Sequence, residues 1–174
     1  SCGSTSRLML HESIYDEVVA RIKTQVEALK IGDPLDMSSQ MGPVNNAGQY
    51  RHVMRMIDVA REDGGRILCG GKRPDGDQFA RGYWVEPTVI GEVTMDMRIG
   101  REEVFGPLLS VLKWRDRDEA LAMANATEYG LTAGVWTNEL RTAMTMAQDL
   151  DCGLVWINGG GRHFLGTGFS GWKN

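Results

Sequence analysis

Between residues 11 and 31, apolar side chains recur at Ile14, Val18, Ile22 and Val26, and Val19 and Leu29 widen the stripe, which is the spacing of an amphipathic helix. Ser13 and Asp16 fit a capping box at its start, and Gly32-Asp33-Pro34 supplies a glycine cap and a proline stop. A polar loop through Gly42-Pro43 leads to a second helical stripe, Tyr50, Val53, Ile57 and Ala60, that runs to Gly64-Gly65. A short strand over Arg66–Cys69 follows. Residues 70–82 are polar and glycine-rich, the composition of a surface turn or hairpin, and residues 83–90 read as extended. From Leu108 the pattern becomes regular. A strand over Leu108–Trp114 precedes a helix that starts near Asp116 and turns Ala120, Met123 and Ala124 inward. A strand over 131–137, a helix capped by Asn138 and a strand over 154–158 complete the series. Strands apolar on both faces and separated by helices predict two successive crossover units, a parallel sheet and the α/β class.

Composition narrows the function more than the fold. The 174 residues, 42% hydrophobic and 24% charged, suffice for one domain with a buried core. A net charge of -4, from 19 basic and 23 acidic side chains, leaves no basic footprint, so nucleic acid and an anionic membrane are not expected partners. No apolar run approaches the roughly 18 residues of a spanning helix, and no signal segment opens the chain. The 22 glycines exceed the average usage of about 7% and suit many short connections. The ten methionines are scattered over apolar stripes and read as core filling. Cys2, Cys69 and Cys152 show neither paired spacing nor a histidine at metal-ligand distance, which predicts no disulfide framework, no metal and a reducing, cytoplasmic setting. The opening Ser1-Cys2-Gly3-Ser4-Thr5-Ser6-Arg7 lacks an initiator methionine, and the chain is expected to be a fragment.

Three stretches carry candidate chemistry. In Glu102-Glu103-Val104-Phe105-Gly106-Pro107, two carboxylates meet an aromatic, a glycine and a proline directly before a buried strand. A helix interior is excluded; an ordered ligand-facing loop and a solvated acidic turn both fit. The segment from Gly159 to Trp172 interleaves glycines with aromatics after a strand, as a pocket-lining loop does at the carboxyl end of a parallel strand, or as a loose tail does. Cys2 sits among small residues that let backbone amides approach a substrate, though a single cysteine is as readily incidental. Cys69 and Cys152 read as packing residues, and His11, His52 and His163 have no acid at helical spacing.

Taken in order, Cys2 with Arg7, Ile14-Tyr15-Asp16-Glu17, Gly42-Pro43, Glu86-Pro87-Thr88, Glu102 to Pro107, Tyr129-Gly130-Leu131, Val155-Trp156-Ile157-Asn158 and Phe169-Ser170-Gly171-Trp172-Lys173 resemble the aldehyde dehydrogenase superfamily. The resemblance covers essentially the whole chain. It implies that residues 1–174 are the C-terminal part of that family's catalytic domain, starting at the nucleophilic cysteine, without the cofactor-binding domain or the C-terminal tail.

By the resemblance, Cys2 is the nucleophile that adds to an aldehyde, and its backbone N-H donates to the oxyanion. Glu103 holds the nicotinamide ribose of NAD or NADP, Phe105 packs beside the nicotinamide, and Gln49 lies near the same ribose. His163, Phe164 and Phe169 shape the aldehyde pocket. Ser170 and Trp172 depart from the family's commonest Phe-Gly-Gly-Tyr form. The general-base glutamate, the side-chain amide donor to the oxyanion and the dinucleotide domain belong upstream, so the isolated chain is expected to be nearly inert and its full-length parent a homo-oligomer. Two rivals stay open: a CoA-acylating semialdehyde dehydrogenase, and a structural or interaction module of the same fold.

Overall fold

A computed structural model describes residues 1–161, 166 and 168–173. The chain divides into two compact units, one of Ser6–Lys113 and one of Ser1–Thr5 with Trp114–Asn174.

The larger unit is a four-stranded sheet with helices. Its elements are β1 (Arg7–His11), α1 (Tyr15–Glu27), α2 (Ala47–Glu62), β2 (Arg66–Cys69), β3 (Thr88–Val93), α3 (Arg98–Arg101) and β4 (Leu108–Trp114), with 3-10 turns at Glu12–Ile14 and Asp77–Phe79. The strand order is β1-β4-β3-β2. β3 and β4 run parallel, with Thr88 opposite Leu108, whereas β2 and β3 are antiparallel. Leu10, Tyr15, Cys69, Val89 and Val111 form one buried cluster, against which Val18, Val19, Ile22 and Val26 of α1 pack. Strand alternation turns Ile90 and Leu112 the other way, and they too are fully buried, as are Val53, Met56, Ile57 and Ala60 of α2.

The α1 start differs from the expected capping box. His11 Nδ1 accepts from Ser13 N at 3.2 Å and lies 2.7 Å from Ser13 Oγ, so Ser13 is committed backwards and Ile14 at the N-cap has no side-chain bond. The helix also stops at Glu27, before Gly32. Residues 28–31 leave it to pair with the following loop: Gln40 N and Met41 N donate to Lys30 O, and Gly32 N donates to Met41 O at 3.0 Å. Residues 70–82 form no hairpin. Arg73 donates to Phe79 O and Gly82 O, folding a turn over the buried Phe79 ring, which meets Trp84 edge-on at 5.1 Å.

The smaller unit contains α4 (Arg117–Asn125), β5 (Thr132–Val135), α5 (Leu140–Asp149) and β6 (Leu154–Ile157). β5 and β6 pair in parallel around α5, one of the two expected crossover units. The other links two sheets, because β4 belongs to the four-stranded one. β5 and β6 are half-exposed along much of their length rather than buried on both faces. Asp116 caps α4 by accepting from Glu119 N at 3.0 Å. α5 begins one residue later than expected, with Glu139 rather than Asn138 at its N-cap and no side-chain cap bond. The methionines do not all fill the core: Met56 is fully buried, but Met37 is 98% exposed.

Candidate active site

Asn46 begins α2 with an extended backbone and accepts from Gln49 N through Oδ1 at 2.9 Å, which fixes the first helical turn. Gln49 and Val53 then project on one side of the helix, one turn apart. Both reach the stretch that precedes β4. Gln49 Nε2 donates to Val104 O at 2.9 Å and to Phe105 O at 2.7 Å. Val53 packs so closely on Gly106 that a β-carbon there would overlap its Cγ2, which explains why glycine stands at that position. Pro107 O accepts from Thr88 N at 2.9 Å, and Leu108 N donates to Gly106 O at 2.7 Å.

The Glu102 to Pro107 stretch is therefore an ordered loop fastened by α2 and β3, not a solvated turn. Val104 is buried, Glu103 is half-buried and Phe105 is 53% exposed. Phe105 has a left-handed backbone, with φ 53°, a conformation that costs a non-glycine residue about 1–2 kcal/mol and that its neighbours must hold. Glu102, the other carboxylate of the pair, faces a different partner. Arg98 grips it with a two-pronged guanidinium, Nε to Oε1 at 2.8 Å and Nη2 to Oε2 at 2.9 Å. That hydrogen bonding holds the Glu102 carboxyl below its ordinary range, against a smaller opposing effect of burial. One acid is thus spent on structure. The loop lies at the amino end of β4 and not at a carboxyl end, a departure from the usual position of ligand loops in parallel sheets.

In the smaller unit, Cys2 is exposed in a tight turn closed by Ser4 N donating to Ser1 O at 3.1 Å, and Gly3 beside it is buried. After β6, Asn158 turns left-handed, with φ 52°. Its side-chain amide pairs with the Thr137 peptide: Oδ1 accepts from Thr137 N at 2.9 Å and Nδ2 donates to Thr137 O at 3.0 Å. Phe169 is 40% exposed. Trp172 N donates to Gly130 O at 3.0 Å, and Lys173 Nζ donates to Asn125 O at 2.7 Å and Thr127 O at 2.8 Å. The Ser170 carbonyl lies where a β-carbon on Gly153 would sit. His163 and Phe164 lie outside the described residues.

The remaining candidates have structural surroundings. Cys69 is in the core cluster, and burial pushes its thiol up. His52 Nδ1 lies 3.2 Å from Arg55 Nη2 on the surface of α2. Among the described residues, no three metal-ligating side chains converge, and no helix is long and apolar enough to cross a membrane. Gln49, Glu103 and Phe105 are brought together in the larger unit. Sequence reading did not foresee the Gln49 grip on the loop, or Arg98 as the partner of Glu102. The i, i+4 spacing of Arg98 and Glu102 is the signal that points to the second.

The profile of the aldehyde dehydrogenase family matches residues 1–174. The chain belongs to the aldehyde dehydrogenase family. Aldehyde dehydrogenase tropH of Talaromyces stipitatus is 41% identical over 178 residues, an alignment that takes in 100% of this chain and 35% of that protein. The chloroplastic betaine aldehyde dehydrogenase of Beta vulgaris is 43% identical over 157 residues, covering 90% of this chain and 31% of its own length. A crystal structure of betaine aldehyde dehydrogenase from Staphylococcus aureus in complex with NAD+ superposes with a TM-score of 0.97 at 35% identity, over 99% of this chain and 34% of that one. The chain thus spans about a third of the length of the relatives it matches. The α/β fold, with its parallel strand pairs, is that of the family's solved members.

Proposed function

We propose that residues 1–174 are the C-terminal part of the catalytic domain of an NAD- or NADP-dependent aldehyde dehydrogenase that oxidises an aldehyde to a carboxylic acid. The observation that carries this reading is the fastened loop that presents a half-buried carboxylate, Glu103, two residues before a half-exposed aromatic, Phe105, in a chain whose family is known. Those two groups fit the nicotinamide riboside end of the cofactor. A carboxylate accepts hydrogen bonds from the two ribose hydroxyls, and an aromatic face packs beside a planar ring. Gln49 stands beside the same ribose through its bonds to the loop.

Cys2 is the nucleophile in this reading. Its thiolate adds to the aldehyde carbon, the carbonyl oxygen takes up the electron pair, and a thiohemiacetal forms on sulfur while the Cys2 N-H donates to the developing oxyanion. A bound dinucleotide would supply the hydride acceptor that this oxidation needs, leaving Cys2 acylated as a thioester. Water then cleaves the carbon–sulfur bond, releasing the acid and the thiol. Phe169, with His163 and Phe164, shapes the aldehyde pocket. A dinucleotide-binding domain and a general base supplied from outside residues 1–174 complete the site, and the coverage of about a third of each relative supports that division. The full-length protein is a homo-oligomer in this reading. Its compartment is the cytoplasm in this reading, which rests on the odd number and wide spacing of the three cysteines; one relative, by contrast, is named chloroplastic.

The test is turnover of betaine aldehyde and of simple aliphatic aldehydes by the full-length protein, with NAD+ and NADP+ in turn, and with the product identified. Cys2→Ala is expected to remove turnover by at least about a thousandfold while leaving dinucleotide affinity within about threefold. Retained turnover would sink the nucleophile assignment. Acyl-CoA as the product, formed only when CoA is added, would replace hydrolysis with acyl transfer.

A further inference from the structure

The side-chain amide of Gln49 has no hydrogen left for a ligand. A primary amide nitrogen carries two hydrogens, and in Gln49 they go to Val104 O at 2.9 Å and Phe105 O at 2.7 Å, leaving Oε1 as its remaining polar atom. Successive carbonyls point to opposite sides in an extended chain. Here the carbonyls of residues 104 and 105 converge on one nitrogen, and the residue between them, Phe105, is left-handed with φ 53°. Gln49 is itself fixed, because Asn46 Oδ1 accepts from its backbone N-H at 2.9 Å in the first turn of α2.

We propose that Gln49 is a positioning residue: it holds the Val104-Phe105 peptide in its left-handed turn and thereby sets where the Glu103 carboxylate and the Phe105 ring stand to receive the nicotinamide riboside. The proposal rests on the reading of Glu103 and Phe105 as cofactor contacts. It assigns Gln49 an action through the loop and not a hydrogen bond donated to the ribose, since such a bond would require releasing one of the two carbonyls. The Gly106 contact with Val53 and the Pro107 bond to Thr88 secure the far side of the same loop.

The experiment uses three variants of the full-length protein. Gln49→Met keeps the length and removes both donors, Gln49→Glu offers only acceptors to the two carbonyls, and Gln49→Lys restores a donor. Two reporters of loop opening are built in, the amides of Leu108 and Thr88, which donate to Gly106 O at 2.7 Å and Pro107 O at 2.9 Å. In cofactor-free protein, the Met and Glu variants are expected to speed hydrogen exchange at these amides about tenfold, the effect of losing one or two hydrogen bonds of ordinary net strength. NAD+ affinity by calorimetry should fall in parallel, and Gln49→Lys should recover both. Weakened NAD+ binding with unchanged exchange would make Gln49 a direct contact and overturn the proposal. So would faster exchange with unchanged NAD+ binding. Wild-type protein that binds neither NAD+ nor NADP+ would refute the cofactor reading and the proposal with it, a failure distinct from the exchange result, which alone reports the grip on Phe105.

Discussion

Cys2 and Cys69 carry the same thiol in opposite surroundings. Cys2 is exposed in a turn, whereas Cys69 lies among Leu10, Tyr15, Val89 and Val111, and burial pushes its thiol up. Brief alkylation of the native protein at neutral pH should therefore label Cys2 at least about tenfold faster than Cys69, as read by peptide mapping. Comparable labelling would mean that the core cluster opens readily. The paired acids differ in the same way. Hydrogen bonding from Arg98 lowers the Glu102 pKa, so the unfolded chain takes up a proton at Glu102 before the folded one does. The ion pair thus contributes its full stability above the ordinary carboxylate range and loses it as pH falls through the depressed folded value. With both side chains about half exposed, the contribution is small and salt-sensitive. Replacing Glu102 with Gln should flatten the acid limb of the melting curve against pH, and an unchanged limb would show that the pair does not survive in solution. Charge and spacing alone left the two adjacent carboxylates equivalent, and only the family resemblance singled out Glu103. The structure adds that Glu102 is held by Arg98, one helical turn before it.

At the scale of elements, the outcome depends on whether local pattern or tertiary contact decides the backbone. The α2 stripe and the β2 strand were legible because their apolar periodicity and glycine boundaries agree with the core they enter. The end of α1 was not, because Lys30 and Gly32 exchange a helical continuation for bonds to Gln40 and Met41, a pairing no local signal announces. β1 escaped notice for a related reason: its five residues alternate weakly and are strand because they neighbour β4. The Gln49 grip joins residues 55 and 56 positions apart, beyond any helical or hairpin spacing. Glycines mark where elements touch, and two of them give tests. Gly106→Ala would drive a methyl into Val53, with an expected loss of about 1–3 kcal/mol in denaturant melts, and Val53→Ala in the same protein should recover part of that loss despite its own cavity cost. A double mutant with strictly additive losses would show that this contact is not the reason for glycine. Gly153→Ala meets the Ser170 backbone, which cannot rotate away, so residues 168–173 should become protease-sensitive while α2 and β2 keep their hydrogen-exchange protection.

At the scale of the molecule, the two units hold very different shares of the core. In the larger, α2, α3 and both central strands provide most of the fully buried side chains, among them Val53, Met56, Ile57, Val89, Ile90, Ile99, Val111 and Leu112. In the smaller, the buried apolar side chains among the described residues are Ala120, Ala143, Leu150 and Trp156, and Trp136, Leu140 and Trp172 are each more than 70% exposed. Apolar burial stabilises by about 25 cal/mol per Å² removed from water, so an all-alanine contribution on two helices leaves little to offset the entropy of ordering them. The family's solved members enclose this fold in chains about three times as long, and Trp136, Leu140 and Trp172 all belong to the unit with the thinner core. Native-state hydrogen exchange on the 174-residue chain should therefore show two tiers. Amides of β3 and β4 should be protected by at least about a hundredfold more than those of β5 and β6, and calorimetry should give a van't Hoff enthalpy below the calorimetric one. Equal protection throughout, with a single two-state transition, would mean that the smaller unit draws its stability from the larger and that Cys2, which groups with it, is held as firmly as the Glu103 loop.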